Sequence, residues 1–432
     1  MRFIFDLAYL LAAVALTPMV VYRMVRYKRY RAGWAHRFGR ISRKDPEKRC
    51  IWLHAVSVGE VNATSTLVGE LQDRLPDFEI VISTTTDTGF ARAAALYGRD
   101  LQVFYFPLDF SWVMRRAFRQ MRPAICLLME LEVWPNFVQI AYQLNVPVVV
   151  VNGRITQRSF SRYSKIKPIA KSIFQKVSLT LAQTGQYAER FKAIGCAPDK
   201  VIVTNSLKYD TAQVADEVEG ADALASKLKI EKSDKLWVAG GTGNNEEKIL
   251  LEVYKKLRQQ DRFADLRLAI IPRKPERFDE VAQLITDVGF DFVRYGSLKN
   301  TDARAPIKAP IILGDTMGDL RKFYSLASVI FAGRSLVPMG GSDMIEAAAL
   351  GKCTIFGPHT FNFRQTVEDL LEGRGAILVK DPQELLEIMQ KCLSDPDFTQ
   401  KTAQNGRAVI KKNQGATKKT VDQIAKLLSA AQ

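Results

Sequence analysis

The chain has 432 residues, of which 47% are hydrophobic, enough for two domains with separate cores. Its formal net charge of +16 at pH 7 predicts an anionic partner: nucleic acid, a phospholipid surface or a phosphorylated substrate. The five cysteines are scattered without CxxC pairs and there are only three histidines, so a disulfide framework, a zinc framework and a histidine-rich metal site are disfavoured.

The N-terminal segment, residues 3–22, is almost wholly apolar, with Asp6 as its one charge, and about twenty such residues can span a bilayer as a helix. A basic cluster follows it: Arg23, Arg26, Lys28, Arg29, Arg31, Arg37 and Arg40. Only Arg2 precedes it, so the positive-inside rule places the bulk of the protein in the cytoplasm. No small-residue cleavage motif follows, which favours an uncleaved anchor over a removed signal peptide. The alternative is an amphipathic helix lying in the membrane interface.

From residue 50 onward the chain repeats strand–helix units, which are typical of parallel α/β folds. The predicted strands of the first half are 51–55, 80–84, 103–106, 124–129, 146–151, 179–182 and 201–204. Those of the second half are 236–239, 268–271, 290–294, 311–313, 329–332, 353–356 and 376–379. Residues 216–234 lack strand signals and are predicted to be a linker, and the tail from Thr417 is predicted to be a basic amphipathic helix. The pattern predicts two α/β halves with a cleft between them.

One stretch of the first half, residues 50–60, places a carboxylate where a strand gives way to a helix. A short apolar run bounded by small residues predicts a buried parallel strand, and helical character begins after Glu60. Glu60 is therefore expected at the carboxyl edge of a sheet, where open α/β sheets bind ligands. A charge that merely stabilises a helix N-terminus is the alternative. Residues 84–89 are predicted to be a helix-capping loop, or to bind polar groups of a substrate.

Three other strand ends of the first half carry polar side chains. Glu130 and Glu132 end an apolar strand, and carboxylates there are costly to desolvate unless they have a function or a partner. The alternative is a helix N-terminus with Pro135 in its first turn. Residues 152–154, Asn-Gly-Arg, close another apolar strand. Lys208 follows a further strand and is suited to neutralise a phosphate or carboxylate, although a lone lysine is usually only solvated.

The second half contains four segments that would suit an anion. Residues 240–247 form a glycine-rich turn between a strand and a helix, where backbone amides can approach an anion, although the spacing matches neither a dinucleotide fingerprint nor a P-loop. Residues 272–277 place cations at the end of an apolar strand. Residues 315–320 begin a helix, and residues 340–346 form a glycine turn into a helix with an acidic residue suited to hold a ribose. Together these segments predict a phosphate-bearing ligand.

Six motifs carry a family resemblance: Trp52–Glu60, Pro107–Asp109, Met129–Asn136, Val151–Arg154, Leu207–Asp210 and Pro272–Arg273. Taken in order, they resemble the 3-deoxy-D-manno-octulosonic acid (Kdo) transferases of lipopolysaccharide synthesis, over about residues 34–380. The resemblance implies an α/β GT-B glycosyltransferase with two Rossmann-like domains facing a cleft, plus an N-terminal membrane anchor helix. It implies an anchor at 1–27, an acceptor-binding domain at 28–212 and a CMP-Kdo-binding domain at 213–432.

The resemblance also implies an inverting transfer of Kdo from CMP-Kdo to a lipid A precursor, lipid IVA, at the cytoplasmic face of the inner membrane, by a single-pass or peripheral protein. Glu60 would be the general base, and Glu130 and Lys208 would assist the transition state. CMP would be held by Pro272, Arg273, Met317, Gly318, Asp319, Asp343, Met344, Ile345 and Glu346. No metal or cofactor is expected, since CMP has a single phosphate. No nucleic acid is expected either, since the cations concentrate beside the apolar segment.

Departures from the family pattern lie in the second half. The family usually shows Ser-Thr-His-Glu at 241–244, Pro-Arg-His at 272–274, Met-Gly-Glu at 317–319, Gly-Gly-Ser at 333–335 and Gly-Gly-His-Asn at 340–343. This chain has Gly-Thr-Gly-Asn, Pro-Arg-Lys, Met-Gly-Asp, Gly-Arg-Ser and Gly-Gly-Ser-Asp there. Two alternatives follow: a diverged paralogue that uses another nucleotide sugar, or a non-catalytic membrane-bound homologue that binds lipid or a partner. Retention of Glu60, Glu130 and Lys208 together argues against the second alternative.

Overall fold

The computed structural model describes residues 2–27 and 31–430, so Lys28 and Arg29 of the basic cluster lie outside the described residues. The chain forms two compact units. The first comprises Met1–Thr211 together with Gln414–Gln432, and the second comprises Ala212–Asn413.

The first unit is built on a seven-stranded parallel sheet in the order β3-β2-β1-β4-β5-β6-β7. Its strands are β1 (Arg49–His54), β2 (Phe78–Thr84), β3 (Gln102–Tyr105), β4 (Pro123–Met129), β5 (Val148–Gly153), β6 (Leu179–Ala182) and β7 (Val201–Val203). Helices cover both faces, so the central strands are apolar along their whole length, as the continuous hydrophobic runs predict.

The second unit has its own seven-stranded parallel sheet, in the order β10-β11-β9-β8-β12-β13-β14. Its strands are β8 (Leu236–Thr242), β9 (Arg267–Pro272), β10 (Phe292–Arg294), β11 (Ile311–Leu313), β12 (Val329–Ala332), β13 (Cys353–Phe356) and β14 (Ile377–Leu378). All fourteen predicted strands are present, and the differences are confined to their ends.

Helices connect these parallel strands, as crossover connections require. Those of the first unit are α1 (Arg2–Tyr27), α2 (Trp34–Arg37), α3 (Val58–Ala63), α4 (Ser65–Arg74), α5 (Asp87–Tyr97), α6 (Ser111–Met121), α7 (Pro135–Gln143), α8 (Gln157–Lys165), α9 (Lys167–Phe174), α10 (Gly185–Ile194) and the C-terminal α20 (Ala416–Ala430). Those of the second unit are α11 (Ala221–Lys227), α12 (Glu246–Arg258), α13 (Phe278–Asp287), α14 (Gly296–Lys299), α15 (Leu320–Leu326), α16 (Ile345–Ala349), α17 (Arg364–Glu372), α18 (Pro382–Ser394) and α19 (Pro396–Asn413). Short 3₁₀ turns include Leu207–Tyr209 and Pro275–Arg277.

An aromatic cluster packs on one face of the first sheet. Trp52 of β1 is fully buried, with ring centroids 5.4 Å from Phe118 and 5.1 Å from Phe137. Its indole Nε1 donates a hydrogen bond of 2.8 Å to Ser83 Oγ, so the buried polar atom is satisfied. This packing fixes β1, and with it the strand end that precedes Glu60.

Two regions differ from the sequence-based prediction. Residues 216–234 are not a linker, because they include α11, whose Leu224 side chain is fully buried in the core of the second unit. Residues 414–432 fall in the first unit, although the prediction placed them in the second domain. The reason is that α20 buries Val421 and Ile424 in the same core cluster as Leu71 of α4. Its amphipathic pattern predicted the helix, but a pattern does not name the surface that the apolar face covers.

Helix α1 contains a stretch, Phe5–Arg26, that is long and apolar enough to cross a membrane. Pro18 lies inside the helix and lacks the amide needed for one helical hydrogen bond. The apolar N-terminal helix predicted from the sequence is therefore present.

Candidate active site

Glu60 lies in the first turn of α3, in a reciprocal cap shortly after the end of β1, and the helix begins at Val58, two residues before Glu60 rather than after it as the sequence predicts. Ser57 is the N-cap residue and accepts from the Glu60 amide at 3.4 Å, while its hydroxyl donates to Glu60 Oε1 at 2.8 Å. The Val56 amide donates to Oε2 at 3.0 Å. The carboxylate thus has both features expected of it, a strand-to-helix position and a helix-capping role. Burial raises the pKa of Glu60, the Val56 amide opposes this, and the charge of Glu130 raises the pKa further.

Two further carboxylates follow β4, the strand adjacent to β1. Glu130 adopts a left-handed backbone with φ of 53°, and its amide donates to Val151 O of β5 at 2.9 Å. Glu132 is half-buried and accepts a hydrogen bond of 3.1 Å from Trp134 Nε1. Burial, followed by the charge of Glu60, raises the pKa of Glu132 to about 7. The three carboxylates therefore share one electrostatic environment.

Lys208 lies in the 3₁₀ turn that follows β7, and an asparagine ties this turn to the neighbouring strand ends. Asn152, at the end of β5, has φ of 55°, and its Oδ1 accepts from the Leu207 amide at 3.1 Å. Its backbone carbonyl accepts from Gln183 Nε2 at 2.9 Å. Lys208 itself is half-exposed, and its ammonium makes no hydrogen bond or ion pair within the described part of the chain. The Asn-Gly-Arg motif therefore positions the turn that carries Lys208.

Asp109 has a structural role. Its Oδ2 accepts from the Asn136 amide at 3.0 Å and its Oδ1 from the Phe137 amide at 2.8 Å, so it caps the N-terminus of α7. Burial raises the pKa of Asp109 to about 7. His54 is also part of the frame: it is fully buried and stacked on Phe106 with centroids 3.9 Å apart, and burial lowers its pKa to about 3.

Glu132 is the residue of this region that the sequence-based site assignment leaves out. Its position two residues after Glu130, at the same strand end, is a signal that the sequence contains. The predicted helix with Pro135 in its first turn is also present as α7. That helix begins after both carboxylates, so it does not account for their burial.

In the second unit, the glycine-rich turn between β8 and α12 is organised around Glu246. This side chain is fully buried, and its carboxylate accepts four backbone amides. Oε1 accepts from Ser335 at 2.9 Å and Leu336 at 3.0 Å, and Oε2 from Gly243 at 3.3 Å and Arg334 at 2.5 Å. The Gly243 amide, expected to approach an anionic ligand, is therefore engaged by a carboxylate of the protein. Glu246 instead joins this turn to the loop after β12.

Arg273 and Glu346 lie in one electrostatic cluster at the carboxyl ends of the second sheet's strands. Arg273 follows β9 with an exposed side chain, and its amide donates to Thr242 O at 3.1 Å. Burial and then the charge of Asp343 raise the pKa of Glu346, and Arg321 and Arg273 oppose this increase. The hydroxyl of Tyr324 is buried beside them without a hydrogen-bond partner in the described structure. This group of cations, carboxylates and a hydroxyl suits a phosphorylated ligand with ribose hydroxyls.

Arg334 stands where the family resemblance has a glycine. Its φ of 57° is left-handed, which is the conformation that favours glycine. Its Nη2 donates to Gly341 O at 2.8 Å and its Nε to Ser342 Oγ at 3.3 Å. Gly340 and Gly341 have φ of 91° and 83°. Arg334 thus joins two loops and adds a positive charge near Arg273. Burial lowers the pKa of Arg334, and the positive charge of Arg273 lowers it further.

Three of the predicted donor-binding side chains are buried or already paired within the protein. Those of Met344 and Ile345 are buried in the protein, so only their backbone is available. The Asp319 carboxylate accepts from Lys299 at 2.6 Å and is paired with Lys322 at 3.0 Å. Burial opposes ionisation of Asp319, but these lysines and Thr316 lower its pKa overall.

The remaining predicted donor residues have backbone or exposed positions. Met317 is 61% exposed, Gly318 has φ of 90°, and Pro272 is the last residue of β9. Among residues 2–27 and 31–430, no group of three or more His, Cys, Asp or Glu side chains is arranged to hold a metal ion.

Two α/β units, each with a parallel sheet and polar residues at its strand ends, define the GT-B class of glycosyltransferase fold. A glycosyltransferase from Rickettsia africae has the same fold, with a TM-score of 0.58 and 15% identity, covering 88% of this chain and 98% of that chain.

The comparison with protein families is more specific. A family model described as 3-deoxy-D-manno-octulosonic-acid transferase (kdotransferase) matches residues 32–211. The 3-deoxy-D-manno-octulosonic acid transferase of Haemophilus influenzae is 32% identical over 400 residues, 92% of each chain. That of Bordetella pertussis is 31% identical over 429 residues, 96% of this chain and 97% of that protein. The chain therefore belongs to the Kdo transferase family of glycosyltransferases, which confirms the resemblance of its motifs.

Proposed function

We propose that this protein transfers Kdo from CMP-Kdo to a lipid A precursor of the lipid IVA type, with inversion, at the cytoplasmic face of the inner membrane. Family membership over almost the whole chain supports the transfer of Kdo. The observation that carries the mechanism is the group of three carboxylates at adjacent strand ends, in which burial and mutual repulsion raise the pKa values of Glu60 and Glu132.

Glu60 is assigned as the general base. A carboxylate with a raised pKa is a stronger base than an exposed glutamate, and it takes the acceptor hydroxyl proton as the new glycosidic bond forms. Attack from the face opposite to the departing CMP inverts the anomeric centre. Glu130 stabilises positive charge that develops on the sugar ring, and Lys208 balances negative charge on the donor.

The second unit is assigned to the donor. Arg273 faces the CMP phosphate, and Glu346 accepts hydrogen bonds from ribose hydroxyls. The backbone of residues 317–319 and 343–345 supplies further contacts, since Asp319 is already paired with lysines. Arg334 adds a cation that the family pattern lacks, and this favours a change in donor affinity or donor choice relative to the family.

The test is a Glu60→Gln variant assayed with CMP-Kdo and tetraacyl lipid A precursor. The mass of the lipid product is measured by mass spectrometry. Loss of a general base is expected to lower kcat by about 10²–10⁴-fold. Binding of CMP is expected to stay unchanged, because Glu60 and the donor residues belong to different units. Asp73→Asn, an exposed acid on α4, is the matched control and is expected to retain full turnover.

Two results would contradict the proposal at different points. Turnover of Glu60→Gln within a few-fold of the parent protein would remove Glu60 as the base. Failure of the parent protein to add Kdo, together with addition of another sugar from a panel of nucleotide sugars, would favour the diverged-paralogue alternative.

A further inference from the structure

The one charge of the apolar N-terminal helix is built into the first unit. Asp6 of α1 accepts from the Ser111 amide at 2.8 Å and from Asn136 Nδ2 at 3.0 Å through Oδ1, and from the Ser111 hydroxyl at 2.5 Å through Oδ2. Ser111 is the first residue of α6, whose own N-cap residue, Phe110, makes no side-chain cap. Asp6 therefore supplies the cap of α6 from a distant part of the chain.

A second contact lies one turn further along α1. The Tyr9 hydroxyl donates to Asp109 Oδ2 at 2.8 Å, and its ring lies edge-on to Phe110 with centroids 5.9 Å apart. Phe5 packs against the apolar core of the unit. The N-terminal turns of α1 thus contact the N-termini of α6 and α7, on the same unit that contains Glu60.

The C-terminal end of α1 is followed within a few residues by the next helix of the same unit. Arg31 Nε donates to Met24 O at 2.7 Å, and α2 begins only three residues later at Trp34. A helix that crosses a bilayer has its ends on opposite sides of it, whereas the N-terminal turns of α1 contact the first unit and its C-terminal end lies only seven residues before α2 of that unit. Between those ends, residues 10–19 are exposed on all sides of the helix.

The exposed part of α1 has the chemistry of a lipid-facing surface. Its large apolar side chains, each at least 42% exposed, are Leu7, Leu10, Leu11, Val14, Leu16, Met19, Val21, Tyr22 and Val25. An aromatic ladder lies on α2 and α6: the centroid of Phe38 is 5.9 Å from that of Trp34 and 6.1 Å from that of Trp112. The Arg116 guanidinium lies 5.6 Å from the Trp112 ring. Exposed tryptophans beside arginines are typical of the headgroup region of a bilayer with anionic lipids.

We propose that α1 enters one leaflet of an anionic phospholipid bilayer without crossing it, held to the first unit by Asp6 and Tyr9. The aromatic ladder Trp34–Phe38–Trp112 lies at the headgroups of the same leaflet. The inference goes beyond the proposed reaction and does not depend on it. It chooses between the two membrane arrangements that the sequence left open.

The test uses the full chain in vesicles of phosphatidylethanolamine and phosphatidylglycerol. Because all five native cysteines are buried, Arg2→Cys gives a single reactive site near the helix start, and Asp73→Cys gives one on the exposed surface of the same unit. A membrane-impermeant maleimide is expected to label both positions to the same extent in intact vesicles that have been floated to remove unbound protein. Labelling of Arg2→Cys only after detergent, with Asp73→Cys labelled before it, would overturn the proposal. So would a failure of the protein to float.

A second variant tests the role of Asp6. Asp6→Leu removes the cap of α6 and makes the segment fully apolar, so protection of Arg2→Cys before detergent is expected to rise at least several-fold. Unchanged labelling would show that Asp6 does not keep the helix on one side. Lipids brominated near the headgroup are expected to quench Trp34 and Trp112 but not the buried Trp52. Unquenched fluorescence would refute the placement of the ladder. These readouts need no turnover, so they stand whether or not Kdo transfer is observed.

Discussion

Replacing Glu246 with glutamine should open the two loops that its carboxylate joins. The carboxylate accepts amides on both oxygens, two per oxygen. Glutamine keeps one carbonyl oxygen and turns an NH₂ group toward the other two amides, which then lack an acceptor. A buried amide without a partner costs about 1–3 kcal/mol, so the variant should lose about 2–6 kcal/mol in the second unit.

Hydrogen–deuterium exchange of the peptide covering residues 334–336 measures this loss where it occurs. About 2 kcal/mol corresponds to roughly 30-fold faster exchange at each amide that loses its acceptor. Glu252→Gln is the matched control, because that side chain is exposed on the same helix, and its exchange should equal that of the parent protein. If residues 334–336 exchange less than three-fold faster in Glu246→Gln, the carboxylate does not hold the loops together.

Three further changes test the sites. Glu130→Gln removes the like charge that raises the pKa of Glu60, so the acid limb of the kcat/KM–pH profile should move to lower pH even though kcat falls; a limb that stays in place or rises would contradict the coupling. Arg277→Met leaves Glu247 buried without its 2.6 Å partner and should cost about 3–5 kcal/mol in urea unfolding of the second unit, whereas a loss below 1 kcal/mol would refute the pairing. Asn152→Ala removes the side-chain oxygen that accepts from the Leu207 amide, so it should lower kcat while CMP binding stays unchanged. A kcat equal to that of the parent protein would show that the turn carrying Lys208 does not need this hydrogen bond.

Local patterns predicted the strands and the placement of Glu60 well. The central strands are short apolar runs that are buried on both faces, whereas the edge strands β7 and β14 are partly exposed. Such apolar runs can be recognised without knowledge of their neighbours. The cap of α3 is also local, since Ser57 and Glu60 are three residues apart. The position of Glu60 at a strand end therefore followed from adjacent residues alone.

Contacts between distant residues were not predictable in this way. The ligands of Glu246 include amides at residues 334–336, almost ninety positions away, so the glycine-rich turn looked open to an anion. The pairing of Asp319 with Lys299, twenty residues upstream, is likewise not visible in the sequence. The amphipathic pattern of the tail predicts the helix α20, but it does not predict that the apolar face of this helix packs in the core cluster that contains Leu71. Such pairings depend on tertiary packing, which periodicity does not encode.

The return of α20 to the first unit has a consequence for synthesis of the protein. Ala416, Val421, Ile424 and Leu428 complete a core whose other members lie before residue 208. A ribosome must therefore translate the whole second unit before the last apolar side of the first can be covered. Until then the nascent chain presents an open hydrophobic groove, in addition to its apolar N-terminal helix. A stop codon in place of the Ala416 codon would leave that groove permanently uncovered, so loss of the last seventeen residues should produce aggregation rather than a shorter enzyme.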